Sequence, residues 1–322
     1  MASAETHHTS GRSGAFAKPN PAMTNSAANG HRYRSNASST GPVSTLRALI
    51  RVSRPRFWIY LLGPFMIALA ATSLRPPVEV WLLGLYLTLP ANLLIYGVND
   101  LYDVDTDRLN PKKQDYENLL QPGQRRGLVV AILALNLPFL ALVPFLPHAW
   151  PWLLLFVLTG VGYSMPPVRA KSRPVLDAAF NILYVAPGIA AYATLSGGSP
   201  PWRVLLPALL WCMAMHAYSA VPDITADQEA GVPTVATLFG RRRTLLLCGA
   251  AYALAAVLVY PSVGLFAAVA GATYLVLIAL SLRSQGPEQL FAVYRRFPVV
   301  NTVVGGAMFC VVGVQHATWP FV

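Results

Sequence analysis

The stretch WLLGLYLTLPANLLIYGVNDLYDVDTD, residues 81 to 107, joins a long apolar run to an acidic end. Residues 81–98 are long enough and apolar enough to form a membrane-spanning helix. Asn99 follows directly, and if the helix continues, Asp103 and Asp107 fall at i+4 and i+8, close to one face. Carboxylates packed this closely repel one another, so at neutral pH they need cations. Ligands that offer only oxygen favour a hard ion such as Mg²⁺.

A second acidic group occurs later in the chain, again at the end of an apolar run. Residues 204–221 are apolar, and Asp223 and Asp227 follow them with the spacing of one helical turn. Two acidic groups at helix ends, on one side of a membrane, suggest one site that holds a metal ion and a phosphate group. A solvated acidic loop is the alternative. However, this chain has few acidic residues, and acidic residues at the end of a membrane helix usually mark a functional site.

The composition indicates a membrane protein. Of the 322 residues, 55% are hydrophobic and only 11% are charged, whereas soluble domains have about 25% charged residues. Repeated apolar runs of roughly 17 or more residues predict an all-α, polytopic membrane bundle of about nine transmembrane helices. The predicted spans are Phe57–Ser73, Val78–Val98, Gly127–Leu146, Trp150–Met165, Val175–Leu195, Val204–Val221, Thr244–Tyr260, Val263–Leu282 and Pro298–Thr318.

Lysine and arginine are unevenly distributed among the connections between these spans. The basic connections are the N-terminal tail and residues 99–126, 167–174, 222–243 and 283–297. The alternate connections carry only Arg75 and Arg203. Because basic loops stay in the cytoplasm, we predict a multi-pass protein of the cell membrane with a cytoplasmic N-terminus. Every candidate site residue then faces the cytoplasm.

The N-terminal region differs in composition from the rest. Residues 1–43 are rich in Ser, Ala, Asn, Gly and His, so we expect a disordered tail before a transmembrane domain of residues 44–322. Ser44–Arg56 carries four arginines, which predicts a basic segment on the membrane surface, with Arg54 as a candidate for anion binding. The net charge of +11 is concentrated between spans. We attribute it to contact with the lipid bilayer and predict no nucleic-acid binding.

A basic segment lies between the two acidic groups. It begins at Tyr163 and contains Arg169 and Lys171. A diphosphate needs this combination, because Mg²⁺ bridges its oxygens to carboxylates while arginine and lysine neutralise the remaining charge. The sequence has no P-loop motif. An EF-hand loop beginning at Asp103 is excluded because Arg108 stands where glycine is required.

A diphosphate bound at a membrane surface favours ionisation of an allylic ester. The metal and the cations stabilise the departing pyrophosphate. The carbocation left behind must be shielded by apolar and aromatic walls until an acceptor attacks. Candidates for that wall are Tyr96, Tyr102, Tyr163, Tyr184 and Tyr218. We assign only Tyr163, which adjoins the basic segment, and interpret the others as packing residues.

Four polar residues lie in or near the predicted spans: Asn92, Asp177, Asn181 and His216. Helix-packing hydrogen bonds are our interpretation for each. Of the four, Asn92 is the best candidate to face the substrate cavity, because it precedes Asn99 by about two helical turns.

Three motifs in this order resemble those of the UbiA superfamily of intramembrane prenyltransferases. Asn99-Asp100-x-x-Asp103-x-x-x-Asp107 resembles the first aspartate-rich motif, and Asp223-x-x-x-Asp227 resembles the second. Tyr163-Ser164-x-Pro166-x-x-Arg169-x-Lys171 resembles the basic motif between them. The resemblance covers most of the chain after residue 45. It implies a bundle of nine helices, Mg²⁺ as cofactor and a prenyl diphosphate as donor.

The resemblance also implies roles for the site residues. The implied metal ligands are Asn99, Asp100, Asp103, Asp107, Asp223 and Asp227. The implied catalytic residues are Asp103, Asp107, Asp223, Asp227 and Tyr163. The diphosphate-binding residues are Arg169 and Lys171, to which we add Arg54 and Asn92. The role of Asp105 stays open.

Finer features are similar to the lycopene elongases of C50 carotenoid pathways. They include Leu94-Ile95-Tyr96-Gly97-Val98-Asn99-Asp100 and Pro222-Asp223-Ile224-x-Ala226-Asp227. That subgroup transfers a dimethylallyl group to a terminal double bond of lycopene, so we expect a lipophilic acceptor and favour lycopene. An aromatic acceptor such as a quinone precursor remains an alternative. A carrier of a phosphorylated lipid is the alternative from another class, but the outer connections have little charge to receive an anion.

Overall fold

The computed structural model describes residues 42–103 and 122–318, which fold into helices and loops, without a strand in these ranges. They belong to one compact unit, Gly41–Val322. The α-helices, numbered along the chain, are α1 Pro42–Val52, α2 Ile59–Thr72, α3 Val78–Tyr86, α4 Leu89–Tyr102, α5 Arg125–Asn136, α6 Trp150–Gly162, α7 Leu176–Ala179, α8 Ala186–Ser196, α9 Trp202–Ala220, α10 Ile224–Glu229, α11 Val235–Val263, α12 Leu265–Arg283, α13 Pro287–Tyr294 and α14 Phe297–Thr318. Asp105, Asp107 and nearly all of the predicted tail, residues 1–43, lie outside the described residues.

The helices are those of a multi-pass membrane protein, which confirms the predicted fold class. The segments long and apolar enough to cross a membrane are Pro55–Thr72, Val78–Tyr102, Arg125–Phe145, Trp202–Glu229, Val235–Val263, Leu265–Arg283 and Pro287–Ala317. An eighth span is formed if Leu176–Tyr184 and Ala186–Ser196, bent by 45°, cross together. Trp150–Gly162 is apolar but shorter, with 13 residues. Each predicted span coincides with one of these segments, while the count of nine and the cytoplasmic N-terminus stay predictions.

The predicted span Val78–Val98 is two helices, α3 and α4, separated by a break. Pro90 lies in the first turn of α4, where its missing N–H removes no helical hydrogen bond. The Asn92 side chain is fully buried, and its Nδ2 donates to the carbonyl oxygens of Leu87 at 2.8 Å and Thr88 at 2.7 Å. The Asn92 amide therefore donates the hydrogen bonds that the backbone carbonyl oxygens at the break need, because lipid chains have no donor to offer them.

Two further spans are irregular for identifiable reasons. The segment after α5 is a 3₁₀ helix, Leu137–Phe145, which contains Pro138 and Pro144. Proline removes an N–H and disturbs a regular α-helix. In α11 the helical geometry is interrupted at Gly240, whose φ of 73° is readily adopted only by glycine.

Two hydrophobic clusters form most of the core. The first joins α2, α3, α4, α6 and α8, and the second joins α9, α11, α12 and α14. Tyr184 packs against both clusters. The helices α2 and α8 approach closely at Gly188, where an added Cβ would lie 2.7 Å from the backbone C and O atoms of Pro64. Glycine is therefore required for this packing.

Candidate active site

The first acidic group lies where α4 ends. Asp103 follows the last turn of α4, and its N–H donates to the Asn99 carbonyl oxygen at 3.0 Å. Asn99 Nδ2 donates to Asp103 Oδ2 at 2.7 Å and to Oγ of the buried Ser164 at 3.1 Å. Both protons of the amide are used within the protein, so Oδ1 of Asn99 is the atom left to bind a cation. Ser164, which was not assigned from the sequence, ties α4 to the basic segment.

Arg54 reaches the same site from the loop between α1 and α2. Its Nη2 donates to Asp100 Oδ1 at 2.9 Å, and both side chains are largely buried. The guanidinium also lies over the Tyr96 ring, 4.8 Å from the centroid, an arrangement that favours a cation. Arg54 has a φ of 51°, a backbone conformation that is uncommon for residues other than glycine and often occurs at functional sites. The structure therefore places Arg54 beside the first acidic group.

The basic segment supplies two more cations. The Lys171 ammonium contacts Asp103 Oδ1, and burial lowers the pKa of Lys171 to about 8, so the side chain remains mostly protonated at neutral pH. Arg169 has a φ of 40°. Its Nε is buried and has no hydrogen-bond partner within residues 42–103 and 122–318. A buried donor without an acceptor costs roughly 1–3 kcal/mol, which a bound anion would offset.

The second acidic group lies between α9 and α11. Asp223 immediately precedes α10, and Asp227 lies one turn further on within it, which puts both carboxylates close to one face. Tyr163, at the start of the basic segment, is linked to the first acidic group. Its carbonyl oxygen accepts the backbone N–H of Lys171 at 3.0 Å, and the Lys171 ammonium contacts Asp103.

Aromatic side chains lie next to these charged groups. The hydroxyls of Tyr96 and Tyr184 are 3.3 Å apart, and the Tyr184 ring is 5.7 Å from that of Tyr60 between centroids. Phe57 completes this aromatic cluster at 5.8 Å from Tyr96 and 6.0 Å from Tyr60. Tyr60 and Phe57 were not candidates from the sequence, because no spacing there links them to the acidic motifs.

Some candidates lie elsewhere. Tyr102 is exposed, and Tyr218 packs in the second hydrophobic cluster, where its hydroxyl lies 2.8 Å from Ser281 Oγ. The structure does not bring Asn92 to the cations: its Nδ2 is occupied at the break before α4, and its remaining polar atom, Oδ1, is an acceptor that cannot donate to phosphate. Asp107 is a predicted ligand that lies outside the described residues.

Known structures share this fold. A UbiA homolog from Archaeoglobus fulgidus bound to DMAPP and Mg²⁺ superposes with a TM-score of 0.61 at 20% identity, over 83% of this chain and 99% of that one. The same homolog bound to GPP and Mg²⁺ gives 0.61 at 19% identity, over 82% and 99%. These similarities confirm a UbiA-like helical bundle.

The sequence relatives have higher identity to this chain than these solved structures. A lycopene elongase/hydratase of Haloferax volcanii is 42% identical over 259 residues, which are 79% of this chain and 84% of the relative. One of Halobacterium salinarum is 39% identical over 269 residues, 80% and 94% of the two chains. A homogentisate phytyltransferase of Synechocystis is 30% identical over 248 residues, 65% and 75%. The predicted similarity to lycopene elongases is thus confirmed.

The family assignment agrees with these relatives. The model of the UbiA prenyltransferase family matches residues 57–286, which include both acidic groups and the basic segment. The prediction of an enzyme, as opposed to a carrier of phosphorylated lipids, is confirmed. With its helical bundle and its paired acidic groups, this chain belongs to the UbiA prenyltransferase family.

Proposed function

We propose that this prenyltransferase transfers a dimethylallyl group from its diphosphate to lycopene, with Mg²⁺ as cofactor, on the cytoplasmic side of the cell membrane. The observation that carries the proposal is the convergence of carboxylates and buried cations beside an aromatic cluster, in a chain related to lycopene elongase/hydratases.

The donor set suits a magnesium–diphosphate group. Asn99 Oδ1 and the carboxylates of Asp103, Asp223 and Asp227 are hard oxygen ligands. Mg²⁺ usually takes one or two carboxylates and completes its shell with water and substrate phosphates. The two acidic groups, on separate helices, would each supply carboxylates to a magnesium–diphosphate group, in agreement with this preference. We extend the ligand set to Asp100 and Asp107, as the sequence motif implies.

The chain's own residues then orient and stabilise the departing group. Mg²⁺ would supply Lewis-acid stabilisation of the pyrophosphate. Arg169, whose buried Nε has no partner among the described residues, and Lys171 would donate to the remaining phosphate oxygens as negative charge develops there. Arg54 keeps the Asp100 carboxylate in place at 2.9 Å.

The hydrocarbon end of the donor would extend from the charged groups towards the aromatic cluster. Tyr96 and Tyr184 hydrogen bond to each other through their hydroxyls, so their rings are held in position. Aromatic faces attract a cation without adding a nucleophile to it. Both tyrosines are buried or partly buried among apolar side chains of the first hydrophobic cluster, which limits access of water to the allylic cation.

The acceptor is supported by the relatives. Identity to lycopene elongase/hydratases reaches 42%, compared with 30% to the homogentisate phytyltransferase. An aromatic acceptor is therefore the second candidate. A polyene and a phenol differ once the new bond has formed, because only the polyene acceptor is left with a tertiary cation and no electron-rich ring to delocalise it.

The direct test is expression in a bacterium that accumulates lycopene, followed by mass analysis of the extracted pigments. We expect carotenoids that are one or two C5 units heavier, with or without the mass of added water. Asp103→Asn should give none, while Glu288→Gln, at an exposed acid on α13, should match the wild type. Immunodetection in membranes controls for the amount of protein.

Unchanged lycopene in cells that contain the wild-type protein would refute lycopene as the acceptor. The same membranes would then be supplied with homogentisate and longer prenyl diphosphates. Product from that mixture, abolished by Asp103→Asn, would support the aromatic alternative. Normal carotenoid formation by Asp103→Asn would instead refute the magnesium–diphosphate assignment.

A further inference from the structure

A histidine–aspartate pair lies beside Tyr163, and the roles assigned above do not use it. His216 Nε2 lies 3.4 Å from Oδ2 of Asp177, whose side chain is fully buried. His216 is on α9 and Asp177 is on α7, 39 positions earlier in the sequence. The pair therefore forms only in the folded protein.

The carboxylate of Asp177 is held in place by the start of another helix. Its Oδ2 accepts the backbone N–H of Val235, the first residue of α11, at 2.8 Å. The N-terminus of a helix favours a negative charge. Asp177 Oδ1 is buried and has no hydrogen-bond partner in the part of the chain that the structure describes. The same oxygen, Oδ2, therefore accepts the Val235 N–H and lies nearest to His216, while Oδ1 faces no hydrogen-bond donor among the described residues.

The pair is adjacent to the substrate site. The His216 ring meets the Tyr163 ring edge to face, with centroids 6.0 Å apart, and the Tyr163 carbonyl oxygen accepts the backbone N–H of Lys171 in the basic segment. His216 also precedes Asp223 by seven residues, first along α9 and then through the 3₁₀ turn Val221–Asp223. Seven residues are about two turns, so His216 lies within α9, about two turns from the end that carries Asp223. The metal and the diphosphate would occupy the space at that end.

We propose that His216 is the base that accepts the proton released when the reaction ends, and that Asp177 is its positioning residue. This inference rests on the proposed function. An alkene acceptor uses its π electrons to form the new carbon–carbon bond while the carbon–oxygen bond of the donor breaks and its electron pair leaves with pyrophosphate. The positive charge then lies on the acceptor.

One proton must leave, whichever way that charge is quenched. Either a neighbouring C–H bond breaks and its electron pair forms a new double bond, or water adds to the cation and loses a proton. His216 accepts the proton at Nδ1, because its Nε2 side faces Asp177. The Asp177 carboxylate stabilises the resulting imidazolium, which returns the proton to solvent when the products leave. A histidine oriented by a carboxylate is a recurring arrangement for proton transfer.

The test measures coupling, which is the amount of pyrophosphate released per carotenoid formed. Membranes containing the full chain are supplied with lycopene and dimethylallyl diphosphate labelled in the prenyl group. In the wild type we expect a ratio near one. In His216→Gln the unquenched cation reverts, and water captures the dimethylallyl cation, so the ratio should rise at least about tenfold with the labelled alcohol as by-product.

Two further variants separate this role from a structural one. Asp177→Asn keeps an acceptor for the Val235 N–H but removes the charge, so its ratio should rise in the same direction by a smaller factor. His316→Gln, at a histidine on α14, should keep the wild-type ratio. Partial misfolding lowers pyrophosphate and carotenoid together and leaves the ratio unchanged, since the ratio is read only from active protein.

The outcomes are distinct. A wild-type ratio in both His216→Gln and Asp177→Asn would overturn the assignment of the pair while leaving the proposed function intact. A wild-type protein that releases pyrophosphate but elongates no lycopene would overturn the proposed acceptor, and this inference with it.

Discussion

Gly188→Ala should both destabilise the protein and disturb its site. The new Cβ would lie 2.7 Å from the C and O atoms of Pro64 and 2.9 Å from its Cβ. Two of these three atoms are backbone, which cannot rotate away as a flexible side chain can. Ordinary contact begins at 3.4 Å, so α2 and α8 must separate by about 0.7 Å at this point.

The loss of stability in Gly188→Ala follows from the cost of overpacking. Adding a methyl group to a well-packed core typically costs about 1–3 kcal/mol. A domain of this approximate size loses about 2–4 °C in melting temperature for each kcal/mol. We therefore expect the detergent-solubilised variant to unfold about 2 to 12 °C below the wild type.

The separation of α2 and α8 in Gly188→Ala should also disturb the aromatic cluster. Tyr60 lies one turn before Pro64, and Tyr184 lies one turn before Gly188, so the strained contact is directly next to the Tyr60–Tyr184 ring contact at 5.7 Å. We expect product formation per folded protein to fall as well. Gly63→Ala is the matched control, because nothing lies within 4 Å of its added Cβ, and alanine favours a helix. Equal melting temperatures for the two variants would refute the close-packing argument.

Three further predictions concern the charged site. Lys171→Met should reduce kcat/KM for the prenyl diphosphate by about 10- to 100-fold, which is the effect of losing one charge-assisted hydrogen bond. Lys171→Arg keeps the charge and should retain more activity. Equal losses of the two variants in steady-state assays would show that the positive charge of Lys171 is not what the reaction needs. Asp223→Asn should lower turnover at least about 100-fold without changing the amount of protein in the membrane. Glu229→Gln, at an exposed acid six residues later, should keep the wild-type turnover. Normal activity of Asp223→Asn would exclude the second acidic group from the site. Chelation of divalent cations should stop pyrophosphate release and added Mg²⁺ should restore it; release that persists in chelator would contradict the proposed cofactor.

The sequence predicted the membrane spans because apolar length is a local property. It predicted less about their regularity: the break between α3 and α4 depends on Asn92 reaching back to Leu87 and Thr88, which a hydropathy profile does not contain. The short α6 also falls below the length of a full span.

The acidic motifs were visible in the sequence because their members are spaced by about one helical turn, and the basic segment was visible because its cations cluster in one short connection. Pairs formed between distant elements were not. Arg54 and Asp100 are 46 positions apart, and nothing local in either segment specifies the partner. His216 and Asp177 were interpreted as separate packing groups for the same reason, since each is a single polar residue in an apolar run.

The amide of Asn92 has a consequence for catalysis that extends beyond α4. A helix that breaks inside a bilayer exposes carbonyl groups, and these normally recruit water or a neighbouring polar side chain. Here the Asn92 amide, from the next turn of the same chain, donates to the carbonyl oxygens of Leu87 and Thr88, so these two acceptors do not need water. The helix that presents the first acidic group can therefore change direction without becoming a path for hydrolysis of the allylic cation.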